Sequence, residues 1–138
     1  MDNTNSLPFI YVVTTSLGAA IGATSSSTLI MQADSRFELM MILGEGSAFV
    51  TVDGNDFTDT NAVSPSTFNV TIRDQTTGRD LMSAPVPQRL LCGNAFNQFQ
   101  QKRGIVFEPQ SNLLFTFTNL TAQSNNITLA LHGYKIII

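Results

Sequence analysis

Apolar and polar side chains alternate most cleanly near the C-terminal end. Leu113, Phe115 and Phe117 share one side of their segment, and Thr116 and Thr118 lie on the other. After a polar break at Thr121 to Asn126, the residues Ile127, Leu129 and Leu131 repeat the pattern. Ahead of both, Arg103 to Phe107 runs up to a polar break at Glu108 to Asn112. A repeat of two sends successive side chains to opposite faces, so these segments predict three strands, each with one buried face. Phe68, Val70 and Ile72 alternate with Asn69, Thr71 and Arg73, which predicts a central strand over Thr67 to Asp74.

Weaker patterns fill the rest. Phe9 to Thr14 is rich in strand formers, Thr24 to Thr28 reads as a loop, and Leu29 to Gln32 as a short strand. Arg36 to Leu43 places Phe37, Leu39, Met41 and Leu43 on one side, with Glu38 and Met40 opposite. Met, Leu and Glu also favour helix, but the break at Gly44-Glu45-Gly46 argues for a strand and turn. Ala48 to Val52 reads as a strand closing on the turn Asp53-Gly54-Asn55, followed by a loop from Asp56 to Ser66. Gln75 to Gly78 reads as a hairpin turn with Arg79 to Ser83 returning. Pro85-Val86-Pro87 is extended, Gln88 to Leu91 a short strand, and Ala95 to Lys102 a helical turn or a loop. Eight or more short strands at this spacing predict an all-β fold. The expected architecture is a two-sheet antiparallel sandwich of jelly-roll type. A polar N-terminal arm is expected over residues 1–8, and one sandwich domain over 9–138.

Composition narrows the function classes. Charged residues make up 12% of the chain, about half the usual ~25%, against an ordinary 43% apolar share, so a disordered chain is not expected. A net charge of −3 and a single adjacent basic pair, Lys102-Arg103, argue against a nucleic-acid partner. So little charge suits a surface covered by neighbours, or a Ser/Thr/Asn-rich exterior. Asn3 to Ala33 carries no charge, and Leu7 to Ala23 is apolar enough to raise a membrane question, with Gly18 and Gly22 at helix-dimer spacing. That stretch is too short and is interrupted by Thr14, Thr15 and Ser16, and no Lys or Arg precedes it, so no membrane span and no secretion signal are expected.

Candidate chemistry is sparse. His132 is the only histidine and Cys92 the only cysteine. Zinc ligation lacks partners at ligand spacing, and a Cys92–His132 dyad stands as a minor alternative to a hydrogen-bonded strand histidine. Asp53, Asp56 and Asp59, with Glu45, form the one acidic cluster, without the EF-hand spacing calcium would want. Glycoside hydrolysis by two of these carboxylates is weakened by the absence of tryptophan. Gly44-Glu45-Gly46 lacks the lysine and following helix of a phosphate loop. Asn69, Asn119 and Asn126 match the glycosylation pattern, which an Asn/Thr-rich chain produces by chance. Phe96, Phe99 and Phe107 are expected in the core rather than in a docking patch. No residue is assigned a catalytic, cofactor-binding or metal-binding role.

Several of these segments together resemble a family of phage virion proteins. They are Phe68-x-Val70-x-Ile72-x-Asp74, Thr77-Gly78-Arg79, the Pro/Val stretch and Leu91-Cys92-Gly93. The ending adds Thr118-Asn119-Leu120-Thr121 and Leu129-Ala130-Leu131-His132-Gly133-Tyr134-Lys135. The pattern, from Phe37 to Ile138, is similar to the jelly-roll cement, or decoration, proteins of tailed phage heads, such as that of a Bordetella podophage. The resemblance implies a structural protein without an active site or cofactor, made in the host cytoplasm and carried on the capsid surface. It implies the major capsid protein as partner, a homodimer or higher homo-oligomer, and the bridging of neighbouring capsomers. Alternatives are another virion component (neck, tail or fibre base) and a carbohydrate-binding jelly roll.

Overall fold

The alternating segments form strands. The structure, a computed structural model, describes residues 6–48, 50–52, 55–57, 66–92 and 100–137, with backbone alone at 50–52, 55–57 and 100–103. In chain order the elements are β1 (Ser6–Leu17), β2 (Thr24–Ile30), β3 (Ser35–Gly46), β4 (Val50–Val52), β5 (Asn55–Phe57) and β6 (Phe68–Asp74). They continue as β7 (Arg79–Asp80), β8 (Val86–Pro87), α1 (Gln88–Cys92), β9 (Gln100–Phe107), β10 (Asn112–Asn119) and β11 (Asn125–Ile137). Sheet A has the order β1-β11-β3-β9, sheet B the order β2-β10-β6-β7 with β8 also on β6, and β4 and β5 pair separately. Every pairing is antiparallel. From β1 to β3 and again from β9 to β11, consecutive strands change sheet. This is the connectivity of a jelly roll, and it makes a two-sheet antiparallel sandwich.

The inward faces close the core as the alternation predicts. Phe115, Phe117 and Leu113 of β10 meet Phe68, Val70 and Ile72 of β6 from sheet B, and Phe37, Leu39, Leu129 and Leu131 from sheet A. Phe107 is buried with them, while Phe96 and Phe99 lie outside the described residues. Tyr11 sits edge-on between Phe9 and Phe37, at 4.8 Å from each ring, and its hydroxyl accepts the N–H of Gln32 at 3.0 Å. Such ring pairs add about 1 kcal/mol beyond the area they bury.

Several expectations need correcting. Ser6, Leu7 and Pro8, assigned to an arm, pair with Ile136, Lys135 and Tyr134 and belong to β1; Met1 to Asn5 lie outside the described residues. Thr24 to Thr28 is strand rather than loop. Its Ser and Thr side chains alternate between half-buried and exposed along an edge, where no continuous apolar face is needed. Gln88 to Leu91 begins α1 rather than a strand. Gln88 is buried at its start, where its amide oxygen accepts the N–H and hydroxyl of Thr67 at 3.1 and 3.2 Å and its Nε2 donates to the Gly44 carbonyl at 3.3 Å. Asp56 lies in β5, not in a loop.

The most consequential correction is in β3. His132 pairs with Met41 but Gly133 pairs with Leu39, so Met40 is an extra residue opposite β11. This β-bulge reverses the alternation. Ser35, Phe37 and Leu39 point inward before it and Ile42 after it, so Met41 and Leu43 face outward instead of joining Phe37 and Leu39.

The motif residues mostly build the fold. Asp74 is 1% exposed, and its Oδ1 accepts the N–H groups of Thr76 and Thr77, which shapes the turn. Gly78 completes that turn at φ 73°, a left-handed conformation natural to glycine. Arg79 then lies over the Phe107 ring at 5.5 Å. Asn119 holds the β10–β11 connection: its Nδ2 donates to the carbonyls of Gly18 and Gln123, and its Oδ1 accepts from the N–H and hydroxyl of Thr121. Lys135 is 8% exposed, lies 4.1 Å from the centre of the Phe9 ring, and reaches Gln32 and Asp34.

Candidate functional site

The outward face of sheet A has the wrong composition for a solvated surface. An antiparallel sheet with one wet face normally alternates apolar-in with polar-out. Here the register lines up Ile10, His132 and Met41 in one row across β1, β11 and β3, and Val12, Ala130 and Leu43 in the next. Rows of Thr14, Thr128 and Glu45 at one end, and of Pro8, Tyr134, Glu38 and Val106 at the other, frame this apolar centre. Ile10 and Val12 are 49% and 55% exposed.

Side-chain size shapes the face. Ala130 leaves the middle strand β11 low between its neighbours. Two shallow depressions mark the face. One, of about 300 Å³, is lined by Pro8, Phe9, Ile10, Met40, Met41, His132, Gly133 and Tyr134; the other, of about 230 Å³, lies over Leu43, Gly44, Glu45, Thr128 and Ala130. Methionines at such a surface adapt to an irregular partner, because the thioether side chain is unbranched and polarizable.

Sheet B presents the opposite chemistry. Its outward rows are Thr24, Thr118 and Asn69, then Ser26, Thr116 and Thr71, then Thr28, Leu114 and Arg73. Arg73 is engaged with Asp80 across the strand pair at 2.7 Å. The sandwich therefore has one apolar and one hydroxyl-rich exterior.

The candidates for chemistry are dispersed. Cys92 is buried in the core, where a side chain on Gly44 would place its Cβ 3.1 Å from the sulfur. His132 is on the far side of sheet A, alternating with buried Leu131, so the two cannot form a dyad without unfolding the sheet. Asp53 and Asp59 lie outside the described residues, as does the Asp56 side chain; among the described residues no group of acidic, histidine or cysteine side chains is arranged to hold a metal. Asn119 is fully buried, which removes it as a glycosylation acceptor in the folded chain. The apolar stretch from Leu7 is β1 and its turn, and no described helix is long and apolar enough to cross a membrane.

Replacing His132 by Gln and, separately, Cys92 by Ser is expected to leave the far-ultraviolet dichroism spectrum intact, with only modest changes in melting. Loss of the fold in either variant would contradict this.

No protein-family model and no curated protein matches the chain. Among solved structures it is similar to a crystal structure from Sulfurospirillum deleyianum, at 8% identity over 91% of this chain and 97% of that one, with a TM-score of 0.35. Likeness at that level carries no weight for fold or function.

Proposed function

We propose that this chain is a structural virion protein that docks on the outside of a tailed-phage capsid and cements neighbouring capsomers. The observation that carries the reading is the apolar outward face of sheet A. Left in water, each square ångström of apolar surface forgoes about 25 cal/mol of transfer energy. A protein partner, the major capsid protein in this reading, is what the face fits: it is broad and shallow, unlike the deep pocket a small molecule needs. The motif resemblance supports the same assignment, and the role requires no catalytic group.

Attachment through such a face rests on shape and apolar contact. Exposed charges contribute little, so moderate salt is expected to leave the protein in place. Each contact can be modest, because a protein engaging two capsomers gains effective concentration from the first contact.

The face is tested by Met41→Glu. Met41 is half-buried and points outward, so the variant is expected to fold and to bind capsid at least tenfold more weakly, about 1.4 kcal/mol. Wild-type attachment by a folded Met41→Glu chain would remove this face from the interface. Imaging of the particle separates the roles: copies spread over the shell support cementing, and copies at a single vertex assign the chain to a neck or tail.

A further inference from the structure

The borders of the two sheets are not protected alike. β9 carries Lys102 and Arg103, and β7 and β8 are two residues each, with Pro85 and Pro87 beside them. These are ordinary guards against strand addition. β1 has none of this strength: it runs for 12 residues without a charge, and Pro8 near its start is its one interruption. It pairs with β11 on one side only. Along the other side, alternate residues direct N–H and C=O groups for which the described chain supplies no backbone partner.

We propose that β1 pairs with β1 of a second copy of this chain, antiparallel and about a twofold axis, joining two four-stranded sheets into one of eight strands. A twofold axis relating adjacent antiparallel strands stands normal to the sheet. One residue then meets its own copy at the axis, and every outward side chain meets an outward one. The greatest overlap of β1 with itself places that axis at Tyr11 or Val12.

β1 is suited to pair with itself. Its outward residues Pro8, Ile10, Val12, Thr14 and Ser16 bring no like charges together, which is the usual penalty in self-pairing. The uncharged stretch from Asn3 to Ala33 also covers β2 and the turn between the two strands, so neither β1, β2 nor their turn carries a charge. Charge depletion marks the centre of protein interfaces. A single strand ladder is a narrow contact. Ile21 in the turn that follows β1, 72% exposed, extends it toward the ~1,000 Å² a stable interface needs.

The pairing stands without any capsid. Its consequence rests on the cementing reading: an axis normal to the sheet turns both apolar faces to the same side, so one dimer presents two docking faces to one shell.

Light scattering of the full chain at micromolar concentration is expected to give twice the 15.0 kDa chain mass. Val12→Lys sets two ammonium groups directly opposite each other for an axis at Val12, or diagonally across the seam for an axis at Tyr11, and is expected to weaken the dimer at least tenfold while circular dichroism stays native. Val12→Cys, or a mixture of Ile10→Cys and Val12→Cys chains, is expected to cross-link with a short bis-maleimide far faster than Val106→Cys on the opposite border. Buried Cys92 does not compete. A monomeric wild type overturns the proposal. So does a dimer that survives Val12→Lys and cross-links no faster through β1 than through Val106. Failure of capsid attachment with the dimer intact counts against the cementing reading alone.

Discussion

Phe115→Ala is expected to cost about 3–5 kcal/mol of folding stability, read as a lower urea midpoint at unchanged slope. Phe115 has no exposed surface, lies in the middle of β10, and stacks on Phe117 with ring centres 6.4 Å apart. β2 and β6 flank it at Ser27 and Ile72, so both its neighbours are held by strand pairing. The hole left by the ring cannot close by a shift of one side chain, and the lost transfer energy adds to the cost of the cavity. Against a typical total of 5–15 kcal/mol, the variant is expected near the limit of folding at 37 °C. Phe115→Leu keeps most of the volume and is expected to cost far less. A change below about 1 kcal/mol for the alanine variant would show that the inward face of β10 is wrongly assigned.

Gly133→Ala is the second large effect. A β-carbon there would overlap the carbonyl oxygen of Glu38 and stand 2.9 Å from Cζ of Phe37. The first obstacle is backbone, locked between β11 and β9, and cannot rotate away. The bulge at Met40 must then rearrange, at about 3 kcal/mol, the upper part of the range for overpacking. Gly18→Ala is the control, because nothing lies within 4 Å of its β-carbon position. Denaturant titration of the pair is expected to show a large loss for the first and almost none for the second. Equal stability would mean that the strands do not approach as described.

These two residues show what the sequence discloses and what it hides. Phe115 was legible because β10 is buried on one face and wetter on the other, and that asymmetry is written as a period of two. The bulge was not, because Leu39-Met40-Met41-Ile42-Leu43 is apolar throughout and fits either parity equally well. The one available signal was Gly133, since glycine inside a strand marks a bulge or a close backbone approach. The same ambiguity concealed the apolar outer face: reading Met41 and Leu43 inward removed two of its central residues. Thr24 to Thr28 reads as a loop because short Ser and Thr side chains suit turns as well as an edge. The strand order was invisible for a different reason. β1 beside β11 and β3 beside β11 are pairings across most of the chain, and no local pattern encodes them.

Cementing is tested most directly by heating capsids with and without the protein. A ligand that binds only the assembled shell stabilises it by mass action, so decorated particles should melt and release DNA at a higher temperature than bare ones. Shell geometry should be the same in both, and re-adding the purified protein to bare particles should restore the difference. Equal melting of decorated and bare particles, at full occupancy, would contradict the account.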